Sequence, residues 1–189
     1  MDNTTNQPIS DASVRVYSGS YDQTKTTGIG FTRQTDWSGG SGQLSYVDET
    51  KYWSDDGKVD VDSGPGDITL AELGGEYLSN GELESSVFDL GTAVNFVNLI
   101  WEPLGQPAET GADSVRWQIA TSPSSTPASW DYFGYDGTAD TYYDAQHIAI
   151  NEVHSGGRYF RYKLFLRTET ATSTPTISDT LVTYTTACT

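Results

Sequence analysis

The chain is 189 residues long and strongly acidic, with 26 acidic against 10 basic side chains and a net charge of −16. That balance speaks against nucleic acid and anionic membrane surfaces as partners. A charged fraction of only 19%, with five Trp, twelve Tyr and six Phe, excludes a wholly disordered chain and leaves enough large apolar surface for one sizeable β domain.

No apolar run is long enough to span a membrane, and none reads as a signal peptide. Met1 followed by Asp2-Asn3-Thr4-Thr5 reads as an expression start on a fragment, from which any targeting or anchoring segment would have been removed. The single thiol, Cys188, has no partner within the chain, so the fold needs no disulfide.

Residues 1–30 form an expected N-terminal extension: polar to residue 13, a short strand at 12–18, then a turn or hairpin connection. Residues 31–67 are rich in glycine and acids and poor in aliphatics. They predict a long ordered loop system with one or two edge strands and little buried surface. Trp37, Tyr52 and Trp53 argue against a plain linker, because such side chains normally pack on something.

From residue 68 onward short alternating segments recur between turn residues, the signature of an antiparallel β-sandwich, and residues 31–189 are expected to form it as one domain. In 114–121, Val115, Trp117 and Ile119 fall on the inner face, Arg116 and Gln118 on the outer. In 158–167, Phe160, Tyr162, Leu164 and Leu166 fall inside, and Tyr159, Arg161, Lys163, Phe165 and Arg167 form a mostly basic outer face. Residues 95–101 are apolar on both faces and predict a central strand; 181–185 close the fold, with Val182 and Tyr184 on one face. Four of the ten bases lie in 158–167 and twelve acids in 48–89, so the two regions are expected to face each other in exposed pairs, each contributing a few tenths of a kcal/mol at about the surface value.

Three clusters are candidates for chemistry. Asp55, Asp56, Asp60, Asp62 and Asp67 make the best metal site. Calcium takes oxygen ligands, an extended Asp60-Val61-Asp62 would present both carboxylates on one face, and the Gly64-Pro65-Gly66 turn can bring Asp67 back. The alternative is an acidic solvated loop. Asp136, Asp140 and Asp144 read first as turn chemistry around Asp136-Gly137. Around that turn Trp130, Tyr132, Tyr135 and Tyr142, with Tyr143, offer flat rings on which the C–H faces of a sugar can stack, against the alternative that alternate members fill the core. Trp37 and Trp53 are further exposed candidates. His147 and His154 have no ligand spacing and read as ordinary surface or turn residues. Residues 38–42, Ser-Gly-Gly-Ser-Gly, are a flexible turn and not a nucleophile elbow, and nothing singles out a glycosidase carboxylate pair.

The segments LESSVFDLG, LIW, WQIATS, WDYFGYDGTADTYYD, GGRYFRYKLFLRT and TPTISDTLVTYT, with the lead-in DWSGGSGQ, resemble the galactose-binding-like (discoidin-like) jelly-roll modules of bacterial cell-surface and type IV pilus-associated proteins over about residues 35–186. TNQPISDASVRVYS resembles the opening of a carboxypeptidase-regulatory-like β module, the rest of which is missing. The first resemblance implies an all-β jelly-roll sandwich, an extracellular location and a ligand such as carbohydrate, with no fixed set of binding residues. The expectation is a non-catalytic recognition module that binds carbohydrate and is stabilised by Ca2+. The alternatives are a structural module that self-assembles within a larger surface protein or filament, and a glycoside-active enzyme.

Overall fold

Period-two alternation organises the observed structure. The computed structural model describes residues 12–18, 21–27, 29–62, 64, 66–145 and 148–186, with side chains from residue 30 onward. His147, Cys188 and residues 1–11 lie outside the described residues.

β1 (Ala12–Ser18) and β2 (Tyr21–Thr27) pair as an antiparallel hairpin, and β3 (Ile29–Gln34) opens the main sheet. Five two-residue strands follow: β4 (Ser54–Asp55), β5 (Val59–Asp60), β6 (Thr69–Leu70), β7 (Glu72–Leu73) and β8 (Glu76–Tyr77). The long strands are β9 (Asn80–Glu84), β10 (Phe88–Glu102), β11 (Val115–Ser122), β12 (Gly157–Arg167) and β13 (Asp179–Thr186). Among the described residues helix is limited to single 3-10 turns at Ala108–Thr110 and Glu152–His154, and no helix is long and apolar enough to cross a membrane.

The main sheet runs β3-β13-β10-β12-β9-β4, with β11 also paired to β12. β10 is where it folds over. Its first residues, Phe88 and Asp89, pair with Phe160 and Tyr159 of β12. The register then shifts, and from Val94 onward it pairs with β13. One strand therefore serves two layers, β11-β12-β9-β4 and β10-β13-β3, and the protein is an all-β antiparallel sandwich. The inward rows meet in an aromatic core. Trp101 lies 5.8 Å from Trp117, which is edge-on to Tyr162 at 5.3 Å; Phe88 stacks on Phe160 at 4.7 Å and on Tyr46 at 4.2 Å. The expected inner faces of 114–121 and 158–167 are buried as predicted.

The segment before the sandwich departs from expectation. It buries Trp37 fully, with Tyr52 and Val61 close behind. The reason is a polar junction inside the core. The Tyr162 hydroxyl accepts a hydrogen bond from Trp37 Nε1 at 3.0 Å and donates to Gln34 Oε1 at 2.8 Å. The Gln34 amide nitrogen in turn lies 3.1–3.2 Å from the carbonyls of Asp36, Glu49 and Lys51. A glycine-rich loop with few aliphatics is thus anchored by one indole and one amide. Gly66 completes the anchor: its carbonyl accepts from Trp37 N at 3.0 Å, its φ is +89°, and a Cβ there would collide with Asp36. Farther along, Val87 N donates to Leu44 O and Tyr46 N to Val87 O, laying residues 44–46 along the start of β10.

The junction makes Tyr162→Phe a sharp test. Losing one oxygen strands the Trp37 donor and a Gln34 acceptor in the core, and urea denaturation should show a loss of about 1–3 kcal/mol. Proteolysis should quicken within residues 36–52. Unchanged stability would mean that the loop is held by its backbone contacts alone.

Candidate functional site

On a pleated sheet an outward side chain meets the outward side chains of neighbouring strands. Along β12 the outward series is Tyr159, Arg161, Lys163, Phe165 and Arg167. Lys163 lies across from Glu84 on β9 and Gln118 on β11; Phe165 lies across from Glu82 and Arg116.

Residues 130–143 roof part of this face, and strand parity aims their side chains. Phe133 pairs with Ile119 and Tyr143 with Trp117 through backbone hydrogen bonds of 2.8–3.0 Å. Tyr143 is buried like its inward partner, so its neighbour Tyr142 turns outward, as Tyr132 does beside Phe133. Gln118 Nε2 donates to the carbonyls of Ala139 and Thr141 at 2.8 and 2.9 Å, which fastens the roof to β11.

Two cations lie on the two outward rings. Lys163 Nζ is 4.7 Å from the Tyr132 ring centroid, and Arg116 Cζ is 4.5 Å from that of Tyr142. Phe165 meets the Tyr142 ring edge-on at 5.2 Å. Arg161 forms the next part of the strip. Its Nε donates to the Ser85 carbonyl at 2.9 Å, and its Nη1 lies 2.7 Å from Glu84 Oε1. Its Cζ sits 5.5 and 5.7 Å from the rings of Trp53 and Trp130. Trp53 is set there by its backbone, with its N–H donating to Glu84 O at 3.0 Å. The Tyr132 hydroxyl donates to the same Glu84 Oε1 at 2.5 Å. Burial, and then that carboxylate, push the Tyr132 phenol far above its usual range, so it stays a donor. Beyond Phe165 a groove of about 410 Å³ continues the strip, lined by Asp56, Lys58, Glu82 and Arg116 among others.

Of the sequence-predicted aromatics, Trp130, Tyr132 and Tyr142 come together on this face. Tyr135 does not: it is 49% exposed at the turn, where its carbonyl accepts from Asn151 Nδ2 at 3.0 Å. Asp136 does the work of a turn residue. Its Oδ1 accepts from Thr138 N, Thr138 Oγ1 and Thr141 Oγ1, and those hydroxyls hold its carboxyl below the usual range.

The aspartates of 55–67 are spread over separate turns. Asp55 accepts from the Tyr52 hydroxyl at 2.6 Å and from Gly57 N at 2.7 Å. Asp56 Oδ1 accepts from Lys58 N and Glu82 N, while its Oδ2 lies 3.4 Å from Lys58 Nζ. β5 ends at Asp60, whose Oδ1 accepts from Asp62 N at 2.8 Å, so Asp60-Val61-Asp62 is a turn and not the extended stretch expected. Asp67 does fold back toward Gly64. Among the described residues no three of His, Cys, Asp or Glu gather closely enough to hold a metal ion.

Three further expectations are corrected. Trp37 is core, for the reason given above. His154 is buried rather than on the surface: it ends the second 3-10 turn with its ring 6.2 Å from that of Phe133. The outer face of β12 is not uniformly exposed either. Arg161 is only 3% exposed, because the two indoles and Glu84 close over it. The expected exposed pairing between 158–167 and the acidic stretch forms in Arg158–Asp89 at 2.7 Å, whereas Arg161–Glu84, at the same distance, is closed in.

Sequence reasoning placed Arg116, Arg161, Lys163 and Phe165 on outer faces and noted Trp53, without joining them to the aromatic turn. Glu84 is not among the residues that the sequence singles out. The available signal was the parity of Tyr132 and Tyr142 against Phe133 and Tyr143. No family model matches the chain, and no curated protein or solved structure matches it significantly. Fold and site together define a β-sandwich bearing an aromatic and cationic strip on the outer face of one sheet.

Glu84→Ala would leave the Arg161 guanidinium buried without its carboxylate, and thermal and urea unfolding should report a loss of about 3–5 kcal/mol. Arg161→Met together with Glu84→Leu should recover much of it, since no charge is then stranded. A single variant as stable as wild type would show that Glu84 does not compensate Arg161.

Burial lowers the His154 pKa from 6.5 to about 4. The unfolded chain therefore takes up the proton first. The contribution of a neutral buried His154 is complete above about pH 6.5 and is lost as pH falls toward 4, up to about 3 kcal/mol. Asp89 and Asp136, held below their usual range, lose their contributions only under the ordinary carboxylate pKa of 3.8. Unfolding free energies measured from pH 7 to 4.5 should fall for the wild type and stay flatter for His154→Gln. Parallel curves would mean that the ring gains a proton acceptor on protonation.

Proposed function

We propose that this protein is a non-catalytic recognition module that binds carbohydrate on the outer face of β9, β11 and β12. The observation that carries the reading is the alignment of Trp53, Trp130, Tyr132, Tyr142 and Phe165 along one face, all left partly open to solvent with polar groups between them. Flat rings take the C–H faces of sugars, while Lys163, only partly buried, is at hand for hydroxyls. The galactose-binding-like resemblance supports the same class, and with it a jelly-roll module of an extracellular, cell-surface or pilus-associated protein. Calcium at the 55–67 segment belongs to this proposal as a stabiliser. Its sign would be a melting temperature that rises with calcium and falls with a chelator, and an unchanged melting curve removes it.

The assembly alternative has its own observation. β3 is an edge strand, and Phe31 on it is 53% exposed beside Ile100 and Leu181 on the outer face of the other layer. Concentration-dependent sedimentation, abolished by Phe31→Lys, is its test.

For recognition, a glycan array should return a defined set of saccharides. Trp130→Ala and Tyr142→Ala should each weaken binding about tenfold or more, as loss of a stacking anchor does, whereas Tyr135→Ala should not. Loss confined to Tyr135→Ala would move the site to the turn, and an empty array would reject the reading.

A further inference from the structure

Two cations of the strip differ from most of the others whose side chains are described. Arg33, Lys58, Arg158, Arg161 and Arg167 each have a carboxylate within ion-pair distance, and Lys51 lies within the field of Asp48. Among the described side chains Lys51, Arg116 and Lys163 have no carboxylate at that distance, and Arg116 and Lys163 are the two on the strip. Both sit on the same face of the same sheet. Arg116 pairs with Phe165 and Gln118 with Lys163, so the two cations are diagonal neighbours, about 7–8 Å apart at the backbone.

What surrounds them positions their charge without cancelling it. Each lies against a tyrosine ring, which holds a cation through its π face and carries no net charge. Glu84, directly across the ladder from Lys163, is turned to Arg161 and Tyr132 instead. The Arg116 Nε is buried and without a hydrogen-bond partner, as is Nη2 of the neighbouring Arg161. A buried donor left unpaired is costly. In a chain of net charge −16, two cations left without a carboxylate on one aromatic face call for an anion from outside.

We infer that the strip selects an anionic saccharide, one whose carboxylate or sulfate groups sit between Arg116 and Lys163 while its rings lie along Phe165 and the indoles. The inference rests on the carbohydrate reading above and adds the charge of the ligand. Glu82 is the opposing charge: it lines the same groove across from Phe165, with no cation paired to it among the described residues. It sets a limit on how much negative charge the groove tolerates.

The test uses the full chain and matched polymers: polygalacturonate against its fully methyl-esterified form, and a sulfated galactan against its desulfated form. Calorimetric titration should show binding to at least one charged member, about tenfold tighter than to its neutral partner, and weakening as salt rises. Whichever pair shows the difference identifies carboxylate or sulfate as the source. Arg116→Gln and Lys163→Gln should each remove most of that difference, so that each variant binds the charged and the neutral polymer about equally. Glu82→Gln should tighten the charged polymer alone, and matched melting curves would show that the variants are folded. Equal binding of charged and neutral polymers, with all three variants like wild type, overturns the inference and leaves the carbohydrate reading standing. Absence of binding to all four polymers and to a broad array overturns both.

Discussion

Two adjacent residues of β12 hold the molecule's two coverings in place. Tyr162 points inward and Arg161 outward, as neighbours on a strand must. The Tyr162 hydroxyl reaches Trp37 and Gln34, and through Gln34 the carbonyls of a loop poor in aliphatic residues. The Arg161 guanidinium reaches Glu84 and the Ser85 carbonyl, between Trp53 and Trp130. Both are polar groups in places from which water is excluded, where an unmade hydrogen bond is far more costly than a made one is favourable. That asymmetry fixes which loop conformations the sandwich accepts. A slip of one residue in β12 would exchange the two side chains and release both coverings at once.

The acidic surface and the aromatic strip follow from the same economy of charge. Five of the eight cations whose side chains are described have a carboxylate within ion-pair distance, and the exposed pairs among them contribute little to stability. On the outer face of β12 and β11, tyrosine rings replace carboxylates beside Arg116 and Lys163. A ring holds a cation in position and leaves its charge available, a different outcome from an ion pair. The strip thereby keeps two cations without an ion-pair partner in a chain of net charge −16, under a roof fastened at Gln118 and at the Phe133 and Tyr143 bridges.

The amino-acid sequence by itself determined the all-β class, the strand at Ala12–Ser18, and the inner and outer faces of the segments around Trp117 and Tyr162, because alternation is local and needs no partner to be read. It also marked Asp136-Gly137 as a turn, since an Asx side chain that bonds the backbone two residues on is local too. Only the tertiary structure decided what lies against those faces. That Trp37 is core depends on a tyrosine hydroxyl 125 positions away, and that Trp53 lies on the outer face depends on its backbone bond to Glu84. That Trp130, Tyr132 and Tyr142 share a face while Tyr135 stands apart depends on which residues bridge to β11. That Asp60 and Asp62 turn rather than extend depends on where β5 stops pairing with β6. These contacts are long-range, each set by the packing of two segments with no common periodicity, so alternation along the chain carries no record of them.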